Sequence, residues 1–184
     1  STGKDTVYRC LLSWKEGNLR RIVPYTTRPI RLGEEDGKEY HFTDDTGYED
    51  LEAKGSVIEA RAYHTYHGIW RYFTVDDGKI NLDHENYLII GTLESYVKTV
   101  QYFGKEKVIP VLLELDDGVR LQRALNRERK QEHPRYEELC RRYLADAKDF
   151  SEEKIKSAGI TGRFLNDNFE KCIAQIKIYI QNNL

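Results

Sequence analysis

The sequence predicts an α/β fold built on a parallel sheet flanked by helices, and three observations carry that reading. Two runs, "NYLIIGTL" at 86–93 and "KVIPVLLEL" at 107–115, are apolar on both faces, as strands buried in a parallel sheet are. Between them "ESYVKTVQYFGK" suits a crossover helix ended by Gly104. The whole chain is 184 residues, enough for one domain burying roughly 70% of its unfolded surface.

The other elements follow in order. Val7, Cys10, Leu11 and Trp14 fall at i, i+3, i+4 and i+7, which predicts a helix over 5–15. "LRRIVPYTTRP" reads as a strand running into a loop, because Pro24 and Pro29 interrupt any ladder. From 28 to 37 the chain is polar and reads as a surface loop. "SVIEARAY" and "IWRYFTV" alternate as half-buried strands. "DDGVRLQRALNRERK" is a basic helix, Pro134 starts another through "RYEELCRRYLADAKDF", and "ITGRFLND" is a short strand and turn. "NFEKCIAQIKIYI" closes the chain as an amphipathic helix. A polar, mixed-strand insertion at 25–76 interrupts the alternation.

Composition bounds the chemistry. With 29 basic and 31 acidic residues the net charge is −2, which argues against a protein that coats nucleic acid. Cys10, Cys140 and Cys172 are scattered, without metal spacing, and read as reduced thiols of a cytoplasmic protein. Histidines 41, 64, 67, 84 and 133 also lack ligand spacing, and no Ser/His/Asp or Cys/His arrangement appears. No apolar run approaches the roughly 18 residues of a membrane span.

The first stretch with a specific chemistry is "GKDT" at 3–6. It fits the end of G-x-x-x-x-G-K-[ST], in which backbone N–H groups cradle phosphate and the lysine bridges the β- and γ-phosphates. The following helix aims its positive end at the same anion. The fold is therefore expected to be of the P-loop NTPase type, with a strand and the first half of the loop upstream of Ser1. The chain contains no methionine, initiator included. Asp5 stands where Ser or Thr usually binds Mg²⁺; a carboxylate also serves a hard cation, and Thr6 supplies a hydroxyl.

The most specific stretch is "YTTRPIRLGEEDGKEYHF" at 25–42, matching T-T-R-x-x-R-x-G-E-x-x-G-x-x-Y-x-F at every fixed position. Arg28 and Arg31 bring two guanidinium forks to one loop, suited to bidentate capture of a phosphate, and Tyr40 adds a hydroxyl on an aromatic platform. Here the chain resembles the guanylate kinases, along nearly its whole length. The resemblance implies ATP as donor, GMP as acceptor, Mg²⁺ as cofactor, and a core at 1–24, 77–125 and 144–184 with a GMP-binding insertion at 25–76 and a lid at 126–143. It implies that Arg28, Arg31 and Tyr40 hold the GMP phosphate and that Glu59 meets the guanine. A carboxylate within an apolar strand independently asks for a dedicated partner.

His67 stands where the family has a phosphate-binding tyrosine, with Tyr66 next to it as a substitute. Pro24 replaces a serine near guanine, and Ile90 and Thr92 replace two aspartates, leaving Thr92 one hydroxyl for base or ribose. Arg123 and Arg127, at i and i+4, with Arg142 from the next helix, stand near the family's lid arginines. Catalysis is thus expected from Lys4, Arg127 and Arg142. ATP contacts are expected from Gly3, Lys4, Asp5, Thr6, Arg123 and Asn166, the last in the "FLND" turn that resembles the border of the adenine site. The expected assembly is a monomer or homodimer. Two other readings stand beside this one. A kinase of another small phosphate, such as a ribose bisphosphate, would not keep the complete Arg–Arg–Tyr loop. A non-catalytic scaffold module, suggested by Pro24, would lose Lys4.

Overall fold

A computed structural model describes residues 1–65 and 68–184. The elements in chain order are α1 (Lys4–Leu12), a 3₁₀ turn (Lys15–Gly17), β1 (Leu19–Arg21), β2 (Tyr25–Thr26), β3 (His41–Phe42), α2 (Asp45–Ala53), β4 (Val57–Thr65) and β5 (Gly68–Val75). They continue with β6 (Asn86–Leu88), α3 (Leu93–Phe103), a 3₁₀ turn (Lys105–Lys107), β7 (Leu112–Glu114), α4 (Asp117–Glu128), α5 (Tyr136–Asp149), α6 (Glu152–Ser157), β8 (Arg163–Leu165) and α7 (Phe169–Gln181). The chain forms two compact units, one of Ser1–Gly17 with Ile109–Leu184 and one of Asn18–Val108. No helix among the described residues is long and apolar enough to cross a membrane.

In the first unit β7 and β8 pair in parallel, Leu112 opposite Arg163 through Glu114 opposite Leu165. The core comes from helix periodicity: Cys172, Ile176 and Ile180 recur every fourth residue along α7 and are buried, as are Val7 and Leu11 of α1, which packs on α7. Gly162 sits where the chain passes closest to its neighbours. A Cβ there would strike the Pro110 carbonyl and meet the Tyr179 ring at 2.8 Å.

The second unit holds a parallel pair, β1 with β6, and a four-stranded sheet in the order β3-β2-β5-β4. β2 runs parallel to β3 and antiparallel to β5; β4 and β5 form an antiparallel pair. Its apolar face packs Phe73, Val75, Tyr25, Val57 and Ala60 against Tyr48 and Leu51 of α2. Deleting a buried aromatic such as Phe73, fully inaccessible here, costs about 3–5 kcal/mol.

Several expectations change. The both-faces-apolar runs yield only three-residue strands, and the "LRRIVPYTTRP" strand splits at Pro24 into β1 and β2. Helices α2 and α6 are additions. The first was legible in Asp44, whose side chain accepts from Gly47 N, followed by Tyr48 and Leu51 at one face. The 28–37 segment is not uniformly a surface loop, because Arg28 is buried. Asp44, Thr92, Asp116 and Asn168 each cap a helix through a side-chain oxygen, each worth about 1 kcal/mol.

Candidate active site

The expected donor-side residues lie in the first unit. Gly3 precedes α1 in the left-handed region, φ 90°, and offers no side-chain cap to the helix. Its Cβ position is closed: an added Cβ would lie 2.6 Å from Asn166 Nδ2. That amide donates to the Thr2 carbonyl at 2.7 Å, and Asn166 N donates to Glu114 O, so buried Asn166 clamps the turn from the end of β8. The sequence reading offered these groups to adenine; here they hold the loop. Thr6 N and Val7 N both return to the Gly3 carbonyl, starting the helix directly at the turn. Among the described residues Lys4 Nζ reaches only its neighbour, 3.1 Å from Asp5, and both side chains are more than half exposed. Thr6 is exposed beside them.

The arginines of α4 and α5 surround a cleft of about 100 Å³ within the same unit, lined by Arg120, Ala124, Arg127, Leu139, Arg142 and Asp146 among others. The structure thus brings Arg127 and Arg142 to one cleft. Arg123 is not among its lining residues, and Arg120, which the sequence reading did not single out, is. Arg120 shares the face through i, i+4 and i+7 spacing with Ala124 and Arg127, a signal present in the sequence. Its guanidinium lies over the Tyr143 ring at 5.1 Å, and Tyr143 Oη donates to Asp117 O. Arg142 keeps a loose contact with Glu138, 3.4 Å, whereas Arg141 is tightly held by the same carboxylate at 2.7 Å and faces away from the cleft lining. Glu128, buried, accepts from Arg135 N at 2.7 Å and from Gln131, fixing the turn between α4 and α5.

The expected acceptor residues gather on one face of the four-stranded sheet in the second unit. A register shift between Val57 and Glu59 sets Val57 opposite Val75 but Glu59 opposite Thr74. Without it, Glu59 would follow Val57 onto the apolar face; the extra residue turns Glu59, Arg61 and Tyr63 to the other side. There Thr74 Oγ1 donates to Glu59 Oε1 at 2.8 Å and Arg61 Nε to Oε2 at 3.1 Å. The carboxylate is 1% exposed. Burying it stays affordable because every oxygen has a donor.

Along the same face Tyr72 packs edge-on against Tyr40 and Tyr63. Arg28 lies over the rings of Tyr40 and Phe42, both 5.6 Å away. Its fork meets Glu34 with two bonds, 2.8 and 3.0 Å, and Glu34 also accepts from Arg31 N at 2.8 Å. Those bonds from Arg28 hold the Glu34 carboxyl below the usual carboxylate range, and burial raises the Tyr40 phenol. Arg28 Nε is buried with no partner among the described residues. Arg31 is exposed, outside every ion pair of the described residues. Thr92 Oγ1 accepts from Ser95 N, capping α3, and Ile90 is exposed. Tyr66 and His67 lie outside the described residues. Among those residues no cluster of three or more His, Cys, Asp and Glu is poised to hold a metal.

The guanylate kinase family model matches residues 1–70. The guanylate kinase of Symbiobacterium thermophilum is 31% identical over 187 residues, covering 98% of this chain and 80% of that protein. Shorter matches include the guanylate kinases of Nitrosomonas europaea, 39% identical over 62 residues, and Vibrio vulnificus, 42% over 81. In these the chain spans 30% and 39% of the relative's length. The crystal structure of guanylate kinase from Anaplasma phagocytophilum superposes with a TM-score of 0.60 at 19% identity, covering 97% of this chain and 80% of that one, a likeness of fold. With a relative 31% identical across 98% of this chain and a likeness of fold to a solved member, this chain belongs to the guanylate kinase family.

Proposed function

We propose that this chain transfers the γ-phosphoryl group of ATP to GMP, giving ADP and GDP. The observation that carries the reading is the polar sheet face on which Glu59, Tyr40 and Arg28 stand together, a base reader and a phosphate reader on one rigid surface. Phosphoryl transfer asks for little covalent chemistry from the protein; it asks for positioning and for neutralisation of charge. Arg28, Arg31 and Tyr40 hold the acceptor phosphate, with Tyr66 and His67 as further candidates, and Glu59 with Thr92 reads the base. Lys4 and the amides after Gly3 take the donor phosphates, and Arg127 and Arg142 meet the charge that develops during transfer. The insertion at 25–76 is the acceptor-binding region, and the segment 126–143 is the lid.

The donor set suits Mg²⁺. Asp5 and Thr6 place one carboxylate and one hydroxyl in solvent at the first turn of α1. A cation that keeps most of its water and binds substrate phosphates needs few protein ligands of this hard kind. When bound it supplies countercharge to the phosphates, and Asp5 and Thr6 are the residues that would hold it. The reaction is assigned to the cytoplasm, by a monomer or homodimer.

The test is ADP release from ATP with GMP, dGMP, AMP, IMP and ribose phosphates as acceptors. Turnover is expected with GMP and dGMP; turnover confined to ribose phosphates, or none with any acceptor, rejects the reading. Glu59→Ala is expected to raise KM for GMP by roughly 100-fold while KM for ATP stays within about twofold. Equal effects on both substrates would make Glu59 structural.

A further inference from the structure

Arg61 is a further charged group on the acceptor face, two residues along β4 from Glu59 and therefore on the same side of the sheet. Its Nε and Nη2 donate to Glu59 at 3.1 and 3.4 Å. Its side chain is 19% exposed where that of Glu59 is 1%, so it stands at the open side of the carboxylate. A guanidinium carries five N–H donors. Among the described residues none but Glu59 accepts from this one, which leaves Nη1 free. Across the ladder Arg61 stands opposite Tyr72, whose ring packs edge-on against Tyr40, so it is placed beside both the base reader and the aromatic side of the phosphate reader.

The result is a row of a donor beside an acceptor, both partly desolvated. A 6-oxopurine presents the complementary edge: a carbonyl acceptor at C6 beside the N1–H donor. A 6-aminopurine presents the reverse, and its amino N–H would oppose the guanidinium N–H. Resting on the reading that Glu59 meets the base, we infer that Arg61 is a specificity-determining residue, supplying the donor that selects 6-oxo over 6-amino purine nucleotides.

The experiment measures binding by calorimetry for GMP, IMP, AMP and ATP in the wild type and in Arg61→Met, which keeps the stem and loses the donors. GMP and IMP, which share the C6 carbonyl, are expected to weaken together by roughly tenfold, AMP by much less, and ATP within about twofold. If Arg61 only balances the charge of Glu59, GMP, IMP and AMP weaken equally and the ratio stands; that result overturns the inference. Should Arg61→Met fail to fold, side-chain ¹⁵N NMR of the wild type decides. The Arg61 guanidinium signal is expected to move on adding GMP or IMP but not AMP, and an unmoved signal with bound GMP overturns the inference. A wild type that binds none of the monophosphates overturns the proposed function itself, whereas one that binds GMP with an unchanged ratio in the variant overturns the Arg61 assignment alone.

Discussion

Lys4 and Arg142, in the unit of Ser1–Gly17 and Ile109–Leu184, keep side chains 57% and 56% exposed, and among the described residues each forms an ion pair only with a nearby carboxylate on its own helix. Arg28 and Glu59, in the unit of Asn18–Val108, are 3% and 1% exposed and bonded to fixed partners. These two pairs of residues treat charge oppositely. Groups that recognise a constant feature of an acceptor gain from being locked in advance, since the cost of ordering them is met in folding. Cations assigned to charge that appears only during transfer are held loosely, by contacts worth at most about 1 kcal/mol each, which an incoming phosphate can displace. On the proposed assignment, recognition by Arg28 and Glu59 is preorganised and neutralisation by Lys4 and Arg142 is held in reserve.

Three measurements break or sharpen this contrast. The largest expected effect is on the exposed side. Lys4→Ala should lower kcat by roughly 10³-fold while the melting temperature shifts by no more than about 2 °C, because nothing buried loses a partner. A large loss of stability, or near-normal turnover, would erase the distinction between the units. Next is Glu34→Ala, which strands the buried Arg28 guanidinium. It should lower the urea unfolding midpoint and raise KM for GMP, leaving KM for ATP unchanged, although Arg28 Nη1 keeps its bond to Pro29 O. A stability change under about 0.5 kcal/mol would mean that Arg28 is not locked.

The smallest effect is a pH dependence. Hydrogen bonds from Arg28 lower the Glu34 carboxyl, so the folded state binds its proton less readily than the unfolded chain. The stability this contributes is complete above the ordinary glutamate value of about 4.3 and is lost as pH falls through the lowered folded value. Unfolding midpoints between about pH 6 and 3 should therefore fall more steeply for the wild type than for Glu34→Gln. Parallel profiles would remove Glu34 from the account.

Much of the site was legible without coordinates. "GKDT" and the arginine loop carry their chemistry in residue type and short spacing, and most of the helices announced themselves through periodicity, as α1 does through Val7, Cys10 and Leu11. Such signals are local: they depend on residues within about four positions, whose relation a helix or turn fixes by itself. Arg120 was within reach of the same reasoning, since its spacing to Ala124 and Arg127 is helical.

What sequence left open depends on partners far along the chain. Whether Glu59 faces the apolar core or the acceptor side is settled by one extra residue in the pairing of β4 with β5, and nothing near Glu59 encodes that shift. The clamp of Asn166 on Thr2, separated by 164 positions, likewise appears only once β8 and α1 are brought together. The sequence by itself therefore determined which chemical groups this protein owns and which local segments hold them. Tertiary structure alone decided which groups share a surface and which are already spent on each other, because register and burial are set by contacts that no short stretch of chain contains.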